Sequence, residues 1–465
     1  MINEAFIEKK SREALERIRN AVSNIDVSGT VYYVSNNGND ANDGKTPEKA
    51  LQSLNAVNAL SLKSGDAVLF KRGDVFRGYV KLREGVTFSS YGTGAKPRIY
   101  GADENAAELE WKNEGNNIYS IPIDHKQDIG CIVFNEGEEW GYKKWLPGQT
   151  ELLMDLDFYH DIENHKLYLY SDSGNPSQRW SDIEVCRRRH IMSGKADNCT
   201  VDGLVLKYGG AHGISLGSVD YPENEKPVYR NIYNMTVRNC EFEWIGGSIQ
   251  FSTVRFGNGL EIWGGCTGHT VENCYFNQIY DAAVTQQYNG SCRCTDDMPL
   301  EVRDTVMRDN LIERSTYSYE YFITENEGGK CVVDSKWKFV DTYFENNICR
   351  LAGYGWGNQR PDRSTAAHIK SWGHFNNSEN FVIRNNIFDR SDYRLVQVLS
   401  HFDSCQPILD SNIYCQYVGK IIVQNNFVTS VMDESIAKDY STAADAKNPV
   451  DVTGDSKGIL VAATR

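Results

Sequence analysis

The sequence predicts an all-β fold: a parallel β-helix with capping helices at its N-terminal end and a small inserted β-sandwich. Three observations indicate this fold: a repeated turn-and-strand pattern, short strands with alternating apolar residues, and one aromatic-rich stretch that interrupts the pattern. The repeat is clearest after residue 199, where a turn residue, often Asn, precedes an apolar strand. Its anchor positions are Gly203, Cys240, Cys274, Asn310, Asn347, Asn386 and Asn412, at spacings of 37, 34, 36, 37, 39 and 26 residues. A bare coil needs little more than roughly 20 residues, so most coils carry an added loop.

The N-terminal segment is predicted to be helical. Residues 3–23 place apolar side chains at helical spacing, and we interpret this helix, within residues 1–30, as an end cap. A strand follows at residues 31–35 (VYYVS), and then a turn rich in Asn and Gly. Thr46 as N-cap and Pro47 at the first helical position predict a second helix that reaches Leu60. Further strands are expected at residues 66–70, 80–82 and 86–89.

This opening, residues 31–101, resembles the N-terminal part of right-handed parallel β-helix proteins of the pectin-lyase-like superfamily. The resemblance implies a right-handed β-helix and a carbohydrate-active protein, since proteins of this kind are mostly polysaccharide lyases, glycoside hydrolases and uronate epimerases. A β-helix interrupted by a sandwich is most similar to some glycoside hydrolases, including β-xylosidase-type enzymes. No motif here matches a named family closely enough to carry over catalytic residues.

The interrupting stretch covers residues 105–190. Its runs at 131–134 (CIVF) and 166–170 (KLYLY) are aromatic and β-branched, and turns separate them, which predicts the inserted antiparallel sandwich. The predicted division of the chain is therefore an N-terminal cap at 1–30, first coils at 31–104, the sandwich at 105–190, the main coils at 191–426, and a C-terminal cap or tail at 427–465.

Two coils carry about ten extra residues at the same point of the turn, at 248–256 and 354–364, which predicts the walls of a cleft. Strand alternation then places one residue of each coil on the outer face beside this cleft. The expected column is Ser215, Glu261, Thr285, Glu320, His368 and Gln397, and two residues further on it is Gly217, Trp263, Gln287, Phe322, Lys370 and Leu399.

The column brings carboxylates together. Glu261 and Glu320 lie two coils apart and therefore roughly 10 Å from each other, and Asp281 lies in the turn that enters the coil between them. Hydrolysis of a glycosidic bond needs one protonated and one ionised carboxyl group, so Asp281, Glu261, Glu320 and His368 are the candidate catalytic residues. Neighbouring carboxylates suit either stereochemical course, whereas Glu261 with Glu320 would favour inversion.

The candidate substrate-binding residues are flat aromatic rings that stack on sugars and polar groups that hold hydroxyls. They are Trp263, Gln287, Lys370, Trp356, Arg360, Trp140 and Trp145. Each candidate also has a simpler interpretation: an outward Glu is commonly solvated, His368 suits an ordinary hydrogen-bonded position, and the tryptophans suit a local core.

Composition narrows the function classes. The net charge is −14 and no Lys/Arg block stands out, which argues against nucleic acid and, more weakly, against a polyanionic substrate. No apolar run is long enough to span a membrane and no signal peptide is seen, so the chain as written is expected to be cytoplasmic, or secreted or periplasmic if a leader has been removed. The twelve cysteines lack zinc or disulfide spacing and are expected to be structural or free thiols.

The expected partner is an oligo- or polysaccharide, with the oligomeric state left open. The first hypothesis is a glycoside hydrolase that acts on a neutral or weakly charged glycan without a cofactor. The alternative is a lyase or epimerase that acts on a uronic-acid polymer, in which Lys370 or Tyr319 abstracts the proton and the carboxylates hold Ca²⁺. A third is a non-catalytic glycan-binding protein.

Overall fold

The computed structural model describes most of the chain. The described residues are 2–124, 126–144, 152–194, 196–216, 219–220, 228–229, 231–251, 254–289, 293–294, 301–324, 326–327, 330–331, 338–360, 366–372, 378–398, 407–425, 428–433 and 454–464. No helix among them is both long and apolar enough to cross a membrane.

Three long sheets, in which neighbouring strands run parallel except at one edge, wind around a common apolar interior. Each coil contributes one strand to each sheet in the same order. Sheet 1 contains Val31–Val34, Ala67–Lys71, Thr87–Tyr91, Thr200–Asp202, Thr236–Arg238, Thr270–Glu272, Glu301–Arg308, Lys338–Glu345, Glu379–Arg384 and Ile408–Asp410, with Ile232–Tyr233 and Cys266–Thr267 beside this path. Sheet 2 contains Val75–Arg77, Arg98–Tyr100, Val205–Lys207, Glu241–Ile245, Tyr275–Ile279, Leu311–Glu313, Ile348–Ala352, Ile387–Ser391, Ile413–Tyr417 and Ile459–Ala463. Sheet 3 contains Val80–Leu82, Met192–Gly194, Ile214–Ser215, Leu260–Trp263, Ala282–Asn289, Tyr317–Thr324, Ala367–Ser371, Arg394–Val398, Ile421–Asn425 and the antiparallel Val428–Val431.

This architecture is a right-handed parallel β-helix, the fold that the sequence predicts. The turn from sheet 1 to sheet 2 carries the repeated Asn residues. Asn310, Asn347, Asn386 and Asn412 are buried, and each of the first three donates both its backbone N–H and its side-chain N–H to the amide oxygen of the next, at 2.9–3.1 Å. Asp455 accepts from the last of them and ends the ladder. The ladder fixes the axial register of the coils because a buried amide cannot go unpaired without cost.

The predicted N-terminal helix is present as Glu4–Arg19. Its Asn3 cap accepts the N–H of Phe6, and the helix then lies lengthwise over the outer face of sheet 2. Ile7 packs against the late coils at Ile387 and Val461, whereas Ala14 packs against the earlier Tyr275 and Leu311. The reason is that apolar residues face outward on sheet 2 and need a cover.

The second expected helix is different. Residues 47–49 form only a 3₁₀ turn, and the helix Leu54–Ala59 is capped by the Ser53 side chain instead of that of Thr46. Leu51 explains the break, because its backbone exchanges hydrogen bonds with Tyr33 and Ser35 and is not available to a helix.

The interrupting stretch forms two small sheets that share one apolar core. Their strands are Ile129–Phe134, Glu139–Trp140 and Ile183–Arg187 in one, and Lys112–Gly115, Ile118–Pro122, Tyr142–Lys143, Asp157–Asp161 and Lys166–Tyr170 in the other. Short helical elements accompany them at Ala106–Glu108, Asn135–Gly137 and Pro176–Arg179. Val80–Leu82 pairs directly with Met192–Gly194, so the β-helix continues across this stretch. The predicted domain bounds stay predictions. Beyond residue 427, however, Ile459–Ala463 completes sheet 2 and is thus part of the coils.

Candidate active site

A cleft of about 540 Å³ opens over the outer face of sheet 3. Both predicted insertions border it: a hairpin, Ile249–Phe251 with Val254–Arg255, and the segment that contains the 3₁₀ helix Trp356–Gln359 and Arg360. The lining residues are His212, Gln250, Phe251, Val254, Arg255, Asn258, Glu261, Trp263, Asp281, Gln287, Glu320, Phe322, Arg360 and Trp372.

The strand register of sheet 3 builds the floor of the cleft. Glu261 pairs with Thr285, Thr285 with Glu320, Glu320 with Lys370, and Lys370 with Gln397. We call this row the outer column. Neighbouring strands lie about 4.8 Å apart, so the backbones of Glu261 and Glu320 are roughly 10 Å apart, the spacing expected from the repeat.

His368 lies outside the cleft. The alternation of inward and outward residues is interrupted near the start of these strands: Ala282, Tyr317 and Ala367 form a separate outer cluster, whereas Ala283 and Val284 both lie in the interior core. His368 consequently turns inward, bonds Ser318 Oγ at 2.9 Å, and is fully buried. Lys370 takes the place in the outer column that the repeat alignment assigned to His368.

Glu261 is an ionised carboxylate held by a histidine. His212 Nδ1 accepts the backbone N–H of Asn258 at 3.0 Å, which directs the Nε2–H at Glu261 Oε2. Burial acts to raise the pKa of Glu261, but its electrostatic interaction and hydrogen bond with the His212 Nε2–H outweigh this effect, and the pKa lies below its usual value. The ring of His190 stacks on His212 at 5.1 Å, and burial together with His212 lowers the pKa of His190 to about 3.

Glu320 is the opposite case. Glu320 is only 2% exposed. Burial, reinforced by the nearby charge of Asp281, raises the pKa of Glu320 to about 8. Gln287 Nε2 donates to one of its oxygens and Trp372 Nε1 to the other. At neutral pH Glu320 therefore carries a proton while Glu261 does not.

Asp281 lies just before the strand Ala282–Asn289, and Arg360 holds its carboxylate. Arg360 Nη1 donates to Asp281 Oδ1 at 2.6 Å, and the Arg360 guanidinium also lies 5.4 Å from the ring of Tyr317. The second insertion thus holds the Asp281 carboxylate beside Glu320. The negative charge of Asp281 favours the protonated form of Glu320.

The predicted aromatic residues divide into two groups. Trp263 lines the cleft with its ring 6.3 Å from that of Phe322. Trp356 is buried against Tyr280 and donates its indole N–H to Gln278 O at 2.7 Å, and Trp140 packs on Trp244 at 5.5 Å, outside the cleft lining. Trp145 lies outside the described residues.

Eight of the lining residues are not among the sequence candidates, and two of these eight, Trp372 and His212, donate hydrogen bonds to the glutamates of the cleft. Trp372 comes two residues after Lys370, is 41% exposed, and would have been found with the alternation counted from Lys370. His212 lies in a Gly-rich turn (residues 209–213, GGAHG) one coil before Glu261, and strand alternation gives no signal for it.

Among the described residues, no three His, Cys, Asp or Glu side chains are grouped to hold a metal ion. Eight described cysteines are buried free thiols, and Cys292 lies outside the described part of the chain. Tyr319, the alternative base, points into the core and donates to Gln286 at 2.5 Å.

Neither a protein-family model nor a curated protein sequence matches this chain. Among solved structures, XylC in complex with xylose is 11% identical, with 85% of this chain and 70% of that chain covered and a TM-score of 0.50. A glycoside hydrolase is 9% identical over 85% and 95% of the two chains with a TM-score of 0.45. The lacto-N-biosidase of Eubacterium ramulus is 14% identical over 91% and 67%, with a TM-score of 0.43. At such identities the likeness concerns the fold alone, and the chain is a right-handed parallel β-helix.

Proposed function

We propose that this protein is a glycoside hydrolase in which Glu320 is the general acid and Glu261 the general base. The observation that carries the proposal is the opposite shift of two buried carboxyl groups in one cleft, Glu320 with a pKa raised to about 8 and Glu261 with a pKa lowered. Environments that separate two carboxyl pKa values in this way suit acid and base roles at neutral pH.

In this mechanism Glu320 gives its proton to the glycosidic oxygen as the bond from that oxygen to the anomeric carbon breaks. Glu261 takes a proton from a water molecule that attacks the anomeric carbon from the other side. Glu261 and Glu320 lie two strands apart with Thr285 between them, and we assign the inverting course to this pair, in which the water attacks on the side opposite the leaving group. Asp281 does not transfer a proton in this scheme, since its charge serves to keep Glu320 protonated.

A glycan substrate is supported by the shape of the cleft and its exposed rings. Trp263, Phe322 and Trp372 flank the outer column and offer flat surfaces for sugar rings. XylC, the solved structure with a TM-score of 0.50, was determined with a sugar, xylose, which points the same way.

The test is incubation with a panel of neutral and acidic glycans, read by reducing-sugar release and by the ultraviolet absorbance of unsaturated uronates. Reducing ends without absorbance are expected, and Glu320→Gln and Glu261→Gln should each lower kcat/KM by roughly 10²–10⁴-fold. Ser215→Ala, one strand from Glu261 and outside the cleft lining, is the matched control and should retain full activity. Full activity in both Gln variants would refute the assignment. NMR of the first-formed anomer checks inversion.

A β-eliminating lyase is the second candidate, because Lys370 has the properties of a base. Burial and the neighbouring Arg394 lower its pKa to about 7, so part of the population is neutral at physiological pH. Growth of uronate absorbance that Lys370→Met abolishes and Glu261→Gln leaves intact would favour this candidate over the hydrolase.

A further inference from the structure

Two buried cations lie on adjacent strands of sheet 3, at the end of the outer column that is nearer to the C-terminal coils. Lys370 follows Glu320 in the column and is 2% exposed, and Arg394, which begins the next strand of sheet 3, is 5% exposed. Arg394 is close enough to lower the pKa of Lys370 by charge repulsion, in addition to the effect of burial.

Neither cation has an anionic partner in the part of the chain that the structure describes. Lys370 Nζ donates to Gln397 Oε1 and lies 4.0 Å above the ring of Trp372, and Arg394 Nη1 donates to Gln424 Oε1 and lies 4.4 Å from the ring of Tyr393. Arg394 Nε is buried and has no hydrogen-bond partner. Among the described residues, no carboxylate lies within 4.0 Å of either cation, whereas Arg360, which lines the neighbouring cleft, is paired with Asp281.

Two buried positive charges without a counter-ion destabilise the folded chain, since burial removes their hydration and one amide oxygen and one or two aromatic rings replace only part of it. Desolvated titratable groups whose pKa values are strongly shifted by a charged neighbour are candidates for functional sites. Neutral amides surround this pair: Gln397 pairs in register with Lys370 on one side and with Gln424 on the other. The direct hydrogen-bond partners of the two cations are thus neutral amides, whereas Glu320, Arg360 and Asp281 act on Lys370 through their charges from the Glu320 side.

We infer that Lys370 and Arg394 form a subsite for an anionic group carried by the glycan, a sugar carboxylate or a sulfate ester. The inference rests on the proposed function, and it places the acidic sugar one step beyond Glu320, on the side away from Glu261. The net charge of −14 is compatible with binding of an anionic group at this subsite. Distant negative charges are screened by salt, whereas the two cations would contact the anionic group directly.

The substrate class follows from this arrangement. The glycan is neutral at the position of Glu261, where a second negative charge would be repelled, and acidic at the position of Lys370. A heteropolymer with occasional uronic acids or sulfate esters fits both conditions, whereas a uniformly anionic polymer fits only the second.

The experiment measures binding and not catalysis, so its result is separate from the fate of the hydrolase proposal. Glucuronate, glucose 6-sulfate and glucose are titrated into the full-length Glu320→Gln variant by calorimetry at pH 6 and low ionic strength. We expect at least one of the two acidic sugars to bind tenfold or more tightly than glucose, and which of them binds distinguishes carboxylate from sulfate. Equal affinity for all three sugars would overturn the subsite.

Variants assign the effect to the two cations. Lys370→Met and Arg394→Met, each made in the Glu320→Gln background, should reduce the preference for the acidic sugar to less than twofold. Lys81→Met is the matched control, because Lys81 pairs with Ser193 in the same row of sheet 3 near its other end and is exposed. An unchanged preference in both cation variants would overturn the assignment.

The Tm of the ligand-free variants distinguishes a role of the two cations in ligand binding from a role in stabilising the fold. If the two charges are held for a ligand, removal of either should raise the Tm of the ligand-free protein, since the mutual repulsion disappears. A fall in Tm together with an unchanged preference for the acidic sugar would show a structural role instead.

Discussion

At the scale of single residues, the cleft depends on environments that differ over a few ångströms. Glu261 and Glu320 lie in the same row of one sheet, yet His212 stabilises the first as an anion, while burial and Asp281 keep the second protonated. The repeat spacing was enough to predict that these two glutamates and Asp281 share a cleft. It could not predict His212, because a turn residue from another coil leaves no trace in strand alternation.

His368 shows a different limit of prediction. The alternation rule failed at the start of the sheet 3 strands, where two successive residues turn inward. Burial then lowers the pKa of His368 to about 4, so its ring stays neutral in the corner between sheets 2 and 3. When two successive residues face inward, the alternation is broken at that point. Every inward or outward assignment that is counted across the break is then reversed.

The first prediction concerns the ionisation of Glu320. Asp281→Asn removes a negative charge beside Glu320, so ionisation becomes easier and its pKa should fall below about 8. The indole N–H of Trp372 donates to Glu320, and its ¹H–¹⁵N NMR shift therefore reports the titration. The alkaline limb of kcat/KM should move to lower pH by the same amount.

Asp304→Asn serves as the control for this titration, because Asp304 is an exposed residue of sheet 1 paired with Arg303. Its midpoint should equal that of the wild type. A midpoint that stays in place or rises in Asp281→Asn would contradict the origin assigned to the shift. Trp372→Phe identifies the reporting signal.

At the scale of elements, the asparagine ladder sets how the coils stack. The sequence predicted a turn residue, often Asn, before the apolar strand of each coil, and Asn is common in turns because it tolerates a left-handed backbone. The structure assigns the left-handed backbone to the residue before each anchor, as at Asn346 and Asn385, and the ladder to the anchor itself. Which of two adjacent residues has the left-handed backbone and which forms the ladder depends on the conformation of the turn. The spacing of the repeats could not predict this.

We therefore expect Asn347→Ala to be strongly destabilising. The substitution removes the acceptor for the backbone and side-chain N–H groups of Asn310 and the donors to Met307 and Asn386, all in a buried site. The loss in the free energy of unfolding should be roughly 2–4 kcal/mol, because buried donors are left unpaired. Denaturant titration followed by circular dichroism measures it. Asn37→Ala, at an exposed turn residue, should change stability by less than about 0.5 kcal/mol, and equal losses in both variants would contradict the role of the ladder.

At the scale of the whole molecule, the coils are held together from outside as well as inside. The N-terminal helix spans sheet 2 from the last strands to the strand Tyr275–Ile279, and salt bridges join Glu8 to Arg350 and Arg390 along the way. Its amphipathic pattern was readable in the sequence. Its position was not, since nothing in the local pattern says which sheet face it covers.

Ile7→Ala tests this contact. Ile7 is fully buried against Ile387, Cys415 and Val461, so its truncation should cost roughly 2–4 kcal/mol of unfolding free energy and speed hydrogen exchange in the strands Ile387–Ser391 and Ile459–Ala463. Val22→Ala, at a side chain 83% exposed just after the helix, is the control and should be neutral. Uniform loss of protection along all coils would contradict a local role for the helix.

The same helix has a consequence for biosynthesis. Glu4 accepts hydrogen bonds from Thr464, a contact across 460 residues of the chain. At 5–20 residues per second the ribosome needs roughly 25–90 s to pass from one of these residues to the other, so the helix is made well before the strand Ile459–Ala463 against which Ile7 packs. During this interval the apolar side chains of the helix and of sheet 2 that later meet at this contact stay exposed to water. A chaperone or a protease can distinguish the unfinished molecule from the folded one by these exposed surfaces.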